Sequence, residues 1–197
     1  MRLNNQIAKT LIVILFAFFG ILQTQAQVTF KPGLRGGINF SHFTEGNYYE
    51  YNNTSNSDTF NTNTAFYLGF YGALKLSKYY TLQPEIDYSS QGSKYDTTNG
   101  NFNLNADYLS FALLNKFTFS NQLNVHFGTT LDFIVSQNFN TESDVDMAFV
   151  LGAGYNFTPN FGIEARVKKG IIPVFDSDVY HTNVVFSIGG TYTFDVK

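Results

Sequence analysis

The sequence predicts an all-β fold, an eight-stranded antiparallel up-and-down transmembrane β-barrel, and three observations carry that expectation. From Gly33 onward apolar residues recur with a period of two, the spacing of strands and not of helices. The connections between the alternating segments are short and long in turn, as in a meander that crosses a bilayer. The composition is aromatic and sparsely charged, with 22 Phe and 13 Tyr in 197 residues and 14% charged residues. A water-facing β surface would carry more Lys and Glu.

Taken in order, the first element lies outside the barrel. Arg2 and Lys9 precede an apolar run from Leu11 to Leu22, and Thr24-Gln25-Ala26 supplies small residues at the two positions read by signal peptidase. The run is shorter than the ~20 residues of a spanning helix. Residues 1–26 are expected to be a secretory signal peptide cut after Ala26, and residues 27–197 the barrel domain.

Eight strands are expected near 33–43, 65–76, 80–91, 107–119, 122–136, 146–157, 160–172 and 182–194. In the first, alternation slips near His42, as a bulge would make it. In the second, Phe66, Leu68, Phe70 and Leu74 share one face and Tyr67, Gly69, Tyr71 and Lys75 the other. In the third, Leu82, Pro84, Ile86 and Tyr88 oppose Gln83, Glu85, Asp87 and Ser89. The fourth is less clean, with Asn115 in the apolar wall and Leu114 in the polar one. The last four alternate regularly. Tight turns fall at Ser77-Lys78-Tyr79, Ser120-Asn121 and Thr158-Pro159-Asn160. Longer polar loops fall at 44–64, 92–106, 137–145 and 173–181.

Alternation alone does not distinguish a membrane barrel from a soluble periplasmic one. The polar wall holds Lys75, Glu85, Asp87, Lys116, Asp132, Glu164, Arg166 and Lys168 in mid-strand, among many Gly and Ala, which suits a narrow interior. The apolar wall then faces lipid. A bilayer admits only a closed barrel, because an open edge leaves backbone groups unpaired in hydrocarbon. Aromatic residues flank both sets of turns, where headgroup-level girdles are expected. These features place the chain in a bacterial outer membrane. An eight-stranded interior is just wide enough to be filled by side chains, and charges there persist only when paired. A lumen charge network of Arg35, Glu85, Lys116, Glu164 and Arg166 is therefore expected, with Glu85 and Lys116 at similar heights on neighbouring strands.

Signals for chemistry are few. With no Cys there is no thiolate site, and a net charge of -3 gives no footprint for nucleic acid. His42, His126 and His181 are the only histidines. His126 with Ser136 or Thr130 is the one lumen arrangement that resembles a nucleophile and base, and no G-x-S-x-G elbow is present. No catalytic, cofactor or metal residues are assigned. The long loops are acidic (Glu45, Glu50, Asp58, Asp96, Glu142, Asp144, Asp176 and Asp178, against Lys94), which suits solvated loops beside an anionic glycolipid surface. Calcium would require six to eight converging oxygens.

The C-terminal strand ends in a pattern that resembles the signal by which outer-membrane barrels are handed to the insertion machinery: Ser187, Gly189, Tyr192 and Phe194, followed here by Asp195-Val196-Lys197. Three further stretches, Leu34-Arg35-Gly36-Gly37-Ile38-Asn39-Phe40-Ser41, Leu82-Gln83-Pro84-Glu85 with Tyr88-Ser89-Ser90-Gln91-Gly92, and Leu151-Gly152-Ala153-Gly154-Tyr155, resemble the PorT-like outer-membrane β-barrel family of Bacteroidota. The resemblance implies a small outer-membrane barrel without catalytic residues, in a family one branch of which assists protein secretion. The expected function is a structural or surface-interaction barrel. An accessory of a secretion or envelope-assembly machine and a small-solute channel are the alternatives. Expected partners are outer-membrane lipid and glycolipid, the insertion machinery during assembly and, under the accessory alternative, an envelope or secretion partner. The barrel itself is expected to be monomeric.

Overall fold

The computed structural model describes residues 28–44, 60–97, 100–120, 122–141, 143–174 and 181–196. The expected signal peptide and the loop acids Glu45, Glu50, Asp58, Glu142, Asp176 and Asp178 lie outside the described residues.

Eight strands form one closed barrel: β1 (Thr29–Phe43), β2 (Phe60–Lys75), β3 (Tyr80–Thr97), β4 (Gly100–Thr118), β5 (Leu123–Gln137), β6 (Val145–Asn156), β7 (Phe161–Gly170) and β8 (Asn183–Thr193). Each is antiparallel to its sequence neighbours, and β1 closes on β8 from Gly33↔Thr193 to Phe43↔Asn183. Closure leaves no strand edge to satisfy, which hydrocarbon demands.

The outer wall is the apolar one. Phe66, Leu68 and Phe70 are 57%, 58% and 61% exposed, while Tyr67 and Tyr71, on the opposite face of the strand, are buried inside. Phe111, Leu113, Phe127, Leu131, Phe149, Leu151, Ile163, Val167, Phe186 and Ile188 continue the exposed band around the barrel. A soluble monomer rarely exposes more than a few hundred Å² of contiguous apolar surface, whereas a bilayer requires such a band.

The three short turns use one device. Ser77 Oγ accepts hydrogen bonds from the backbone N–H groups of Tyr79 and Tyr80, at 3.3 and 3.1 Å. Ser120 Oγ does the same for Gln122 and Leu123, and Thr158 Oγ1 for Asn160 and Phe161. A hydroxyl at the first turn residue satisfies N–H groups that the ladder cannot reach. Aromatic pairs collect at this end, with Phe157 stacked on Phe161 at 5.9 Å and Tyr192 edge-on to Phe194 at 5.2 Å.

Two expectations change. Near His42 there is no bulge: pairing to β8 is unbroken through His42↔Val184 and Phe43↔Asn183. The pattern slips because Phe43 points inward, fully buried and edge-on to Phe139 at 5.8 Å. Register shifts fall instead between Thr62 and Tyr67 of β2 and between Asp107 and Tyr108 of β4. Most of the expected loop 92–106 is a continuation of β3 and β4, paired from Gly92↔Asn105 to Thr97↔Gly100. Apolar alternation fades there because a hairpin that has left the bilayer has no lipid face to maintain.

Glycine permits close approaches at the Ser41 contact and at the closing seam. Gly92 has a positive φ of 149°, and its N–H and C=O both bond Ser41 Oγ at 2.8 Å. At the closing seam Gly36↔Gly190 and Gly37↔Gly189 face each other. A Cβ on Gly189 would lie 2.2 Å from Gly36 O and 2.3 Å from the Tyr67 hydroxyl. The bare seam lets the Tyr67 ring reach from β2 past β1 to β8.

Candidate functional site

Strand parity turns the charged residues inward, and the stagger of the strands decides which of them meet. At mid-barrel, Arg35 from β1, Glu85 and Asp87 from β3, and Glu164 and Arg166 from β7 form one buried cluster. Arg166 binds Glu85 through two nitrogens, Nη1 to Oε2 at 2.6 Å and Nη2 to Oε1 at 2.8 Å. Its Nη2 also reaches Glu164 Oε2 at 2.9 Å. Arg35 donates from Nη1 to Asp87 Oδ2 at 2.6 Å and from Nε to Glu164 Oε1 at 2.8 Å. Its guanidinium lies 4.4 Å from the centre of the Tyr67 ring. Gln83 Nε2 donates to Glu85 Oε1 at 2.6 Å. Paired charges with this many hydrogen bonds are the form in which ions survive in a water-poor interior.

Lys116 stands apart from the cluster. It pairs in register with Thr81, whereas Glu85 pairs with Ala112, so the two are offset by four residues and not level. Among the described residues Lys116 has no ion-pair partner. Asp87 is the member that the sequence reading left out of the network. It follows Glu85 by two positions on the same face, and that spacing was the available signal.

Beyond the central cluster, towards the long loops, Lys168 Nζ binds Asp132 Oδ2 at 2.5 Å. Asp132 is the cross-strand neighbour of Asp146, and Asp146 Oδ1 accepts the Ile172 N–H at 3.2 Å. A chain of uncharged hydrogen bonds runs alongside: Asn183 to Gln91, Gln91 to Ser89, Asn39 to Ser89, and Ser187 to Asn39. The lumen is not wholly polar, since Ala112, Leu114 and Val150 make a small buried apolar patch. This patch explains why Leu114 interrupts the polar wall. Asn115 faces outward instead, where its Oδ1 accepts the Tyr80 hydroxyl at 2.8 Å.

Space in the barrel is divided unequally. Between the two ion clusters lies a cavity of about 40 Å³, lined by Arg35, Tyr67, Asp87, Thr130, Arg166 and Lys168 among others. At the short-turn end a vestibule of about 920 Å³ opens. Lys31, Lys75, Lys78 and Lys116 line it, with Gln83 beside them. Lys31 is bonded to Asp195 at 2.9 Å, and hydrogen bonds from Asn160 and Lys31 hold the Asp195 carboxyl below its ordinary pKa.

The histidines are dispersed. His126 is buried in the inner half of the lumen, opposite Lys116 and Gly152, with Nδ1 3.3 Å from Asn124 Oδ1. Thr130 is buried further along the same strand, while Ser136 is exposed at its outer end. His181 Nδ1 contacts the Thr44 carbonyl at 2.6 Å, and His42 is half-buried near the outer rim. Among the described residues no three His, Asp or Glu side chains are grouped as a metal site. Of the C-terminal pattern, Ser187 and Gly189 face the lumen, and Tyr192 and Phe194 form an exposed ring pair at the short-turn rim.

A closed eight-stranded barrel with an apolar outer band and ion-paired lumen defines a transmembrane barrel of the outer-membrane kind. Residues 11–194 match the model of the outer membrane protein beta-barrel domain family. The chain belongs to that family and is a small β-barrel of the bacterial outer membrane. Among solved structures it is similar in fold to Neisserial surface protein A (12% identity over 83% of this chain and 97% of that one, TM-score 0.53). It is likewise similar in fold to the outer membrane protein OprG from Pseudomonas aeruginosa (14% identity over 86% of this chain and 98% of that one, TM-score 0.50). No curated protein matches the sequence.

Proposed function

We propose that the protein is a monomeric, non-enzymatic and non-conducting barrel. On this reading the barrel serves the outer membrane as a structural or surface-interaction element, presenting its outer loops to ligands or partners. The observation that carries the reading is the mid-barrel cluster of Arg35, Glu85, Asp87, Glu164 and Arg166, beside which lies a cavity of about 40 Å³. A hydrated ion does not pass such a constriction without breaking several charge-assisted hydrogen bonds. The experiment is single-channel recording of the purified protein in planar bilayers, where no steady open conductance is expected. A reproducible open state in the wild-type protein would establish the small-solute channel instead.

The finer placement is within the PorT-like barrels of Bacteroidota. It is supported by the motif residues that supply the plug, since Leu34–Ser41 contains Arg35 and Asn39, and Leu82–Glu85 contains Gln83 and Glu85. On this reading Ser187, Gly189, Tyr192 and Phe194 are the pattern presented to the insertion machinery. The alternative of a secretion or envelope accessory predicts a partner complex that co-purifies with the barrel.

A further inference from the structure

The vestibule at the short-turn end carries charge of one sign. Among the described residues its lining includes Lys31, Lys75, Lys78 and Lys116 and no carboxylate, and the bond from Asp195 compensates Lys31 alone. Lys75, Lys78 and Lys116 have no ion-pair partner among the described residues. A cleft lined by one sign of charge and bounded by low-dielectric walls concentrates its field and draws counter-charged ligands. A second observation points the same way. Gln83, 2% exposed, lines the vestibule, and its Nε2 is committed to Glu85, yet its Oε1 has no hydrogen-bond partner. A buried acceptor left in this state carries a desolvation cost that a donor on a ligand would remove.

The site therefore offers ammonium groups on its walls, an acceptor beside them, and the aromatic rings of Tyr71, Tyr79, Phe119 and Phe157. We propose that this vestibule binds a short acidic peptide segment of a periplasmic partner, its carboxylates on the lysines and a backbone N–H on Gln83 Oε1. An inorganic polyphosphate would satisfy the lysines but brings no N–H for Gln83. The volume of about 920 Å³ lies within the range of ligand sites. The ion cluster beyond Gln83 makes the vestibule a dead end, so the segment docks and does not pass through. The periplasmic side follows from the rule that short turns of such barrels face the periplasm.

The test is calorimetric titration of the full chain in phosphatidylcholine nanodiscs with three probes. These are a blocked peptide alternating aspartate and glycine, the same peptide with asparagine for aspartate, and tripolyphosphate. The acidic peptide should bind saturably and the asparagine peptide should not. The exposed-rim double variant Lys75→Gln/Lys78→Gln, which leaves the buried cluster intact, should weaken binding several-fold. Adding Lys116→Gln should bring the loss to about tenfold or more. High salt should weaken binding likewise. Gln83→Met should weaken the peptide and leave tripolyphosphate unchanged, with heat-modifiable gel migration verifying a folded barrel. Absence of saturable binding, equal binding of the asparagine peptide, indifference to the rim double variant, or tighter binding of tripolyphosphate would each overturn the proposal. The conductance experiment is independent of all four outcomes.

Discussion

Glu85 lies between two guanidinium groups, with Arg166 on both of its oxygens and Arg35 Nη1 3.6 Å from Oε2. Removing its charge leaves Arg166 buried against Glu164 alone and Arg35 with one carboxylate fewer. Glu85→Gln should therefore lower stability by about 3–5 kcal/mol, the cost of breaking a buried pair from one side. The partner is separable by a double-mutant cycle. Glu85→Gln with Arg166→Met should recover part of the loss, whereas Glu85→Gln with Lys116→Met should be near additive because the two side chains make no bond. Urea unfolding in lipid vesicles followed by circular dichroism measures both cycles. Strong coupling to Lys116 and none to Arg166 would contradict the geometry. The same contrast shows what was legible at this scale. Parity along a strand tells which face Arg35, Glu85, Glu164 and Arg166 occupy, because side chains alternate without exception in an unbulged strand. It says nothing of height, which is set by the stagger between strands, and so the level pairing expected of Glu85 and Lys116 gives way to an offset of four residues.

A strand in this barrel is specified by what lies on both of its sides, and the seam between β1 and β8 shows this most directly. Gly189 has Gly36 O and the Tyr67 hydroxyl within 2.3 Å of where a Cβ would sit, while the nearest atom to a Cβ on Gly190, one residue on, is 3.8 Å away. Gly189→Ala should cost about 1–3 kcal/mol, since backbone on one side and a packed ring on the other must shift. Gly190→Ala should stay within about 0.5 kcal/mol, as an uncrowded outward position does. Comparing the denaturation midpoints of the two variants measures the difference, and equal midpoints would mean the seam is looser than its geometry. The eight strands were readable from period-two alternation to within a few residues except where lipid stops acting on the sequence. The outer halves of β3 and β4 carry Ser, Asn, Lys and Thr, so the pattern reads as loop although the ladder continues to Thr97↔Gly100. The tight turns were legible from their residues, and the repeated hydroxyl device emerges only when the backbone is seen folding back on Ser77, Ser120 and Thr158.

For the whole molecule, the division between lipid wall and lumen decides location and assembly. Residues 1–26 are expected to direct export and to be removed in the course of it, so intact mass of the membrane-extracted protein should correspond to a chain starting at Gln27; a retained leader would refute the cleavage. The membrane itself is tested by a pair of adjacent residues. Leu131 is 43% exposed in the middle of β5, with Phe111 on β4 and Met147 on β6 as its cross-strand neighbours, both on the apolar band. Thr130 is buried in the lumen beside Arg166 and Lys168. Arginine at position 131 must hold its charge in hydrocarbon, at a cost of about 2–4 kcal/mol near the midplane and less towards either interface. Arginine at position 130 carries no lipid cost but adds a further cation beside Arg35, Arg166 and Lys168. Its penalty should therefore depend on the lumen charges and fall when Lys168 is replaced by Met. The penalty at 131 should be indifferent to Lys168 and should shrink in thinner bilayers, where the site lies closer to an interface. Folding yields of Leu131→Arg and Thr130→Arg, with and without Lys168→Met, in vesicles of two acyl-chain lengths separate the two costs. Equal response of both positions to bilayer thickness would mean that the strand's two faces are not divided between lipid and lumen.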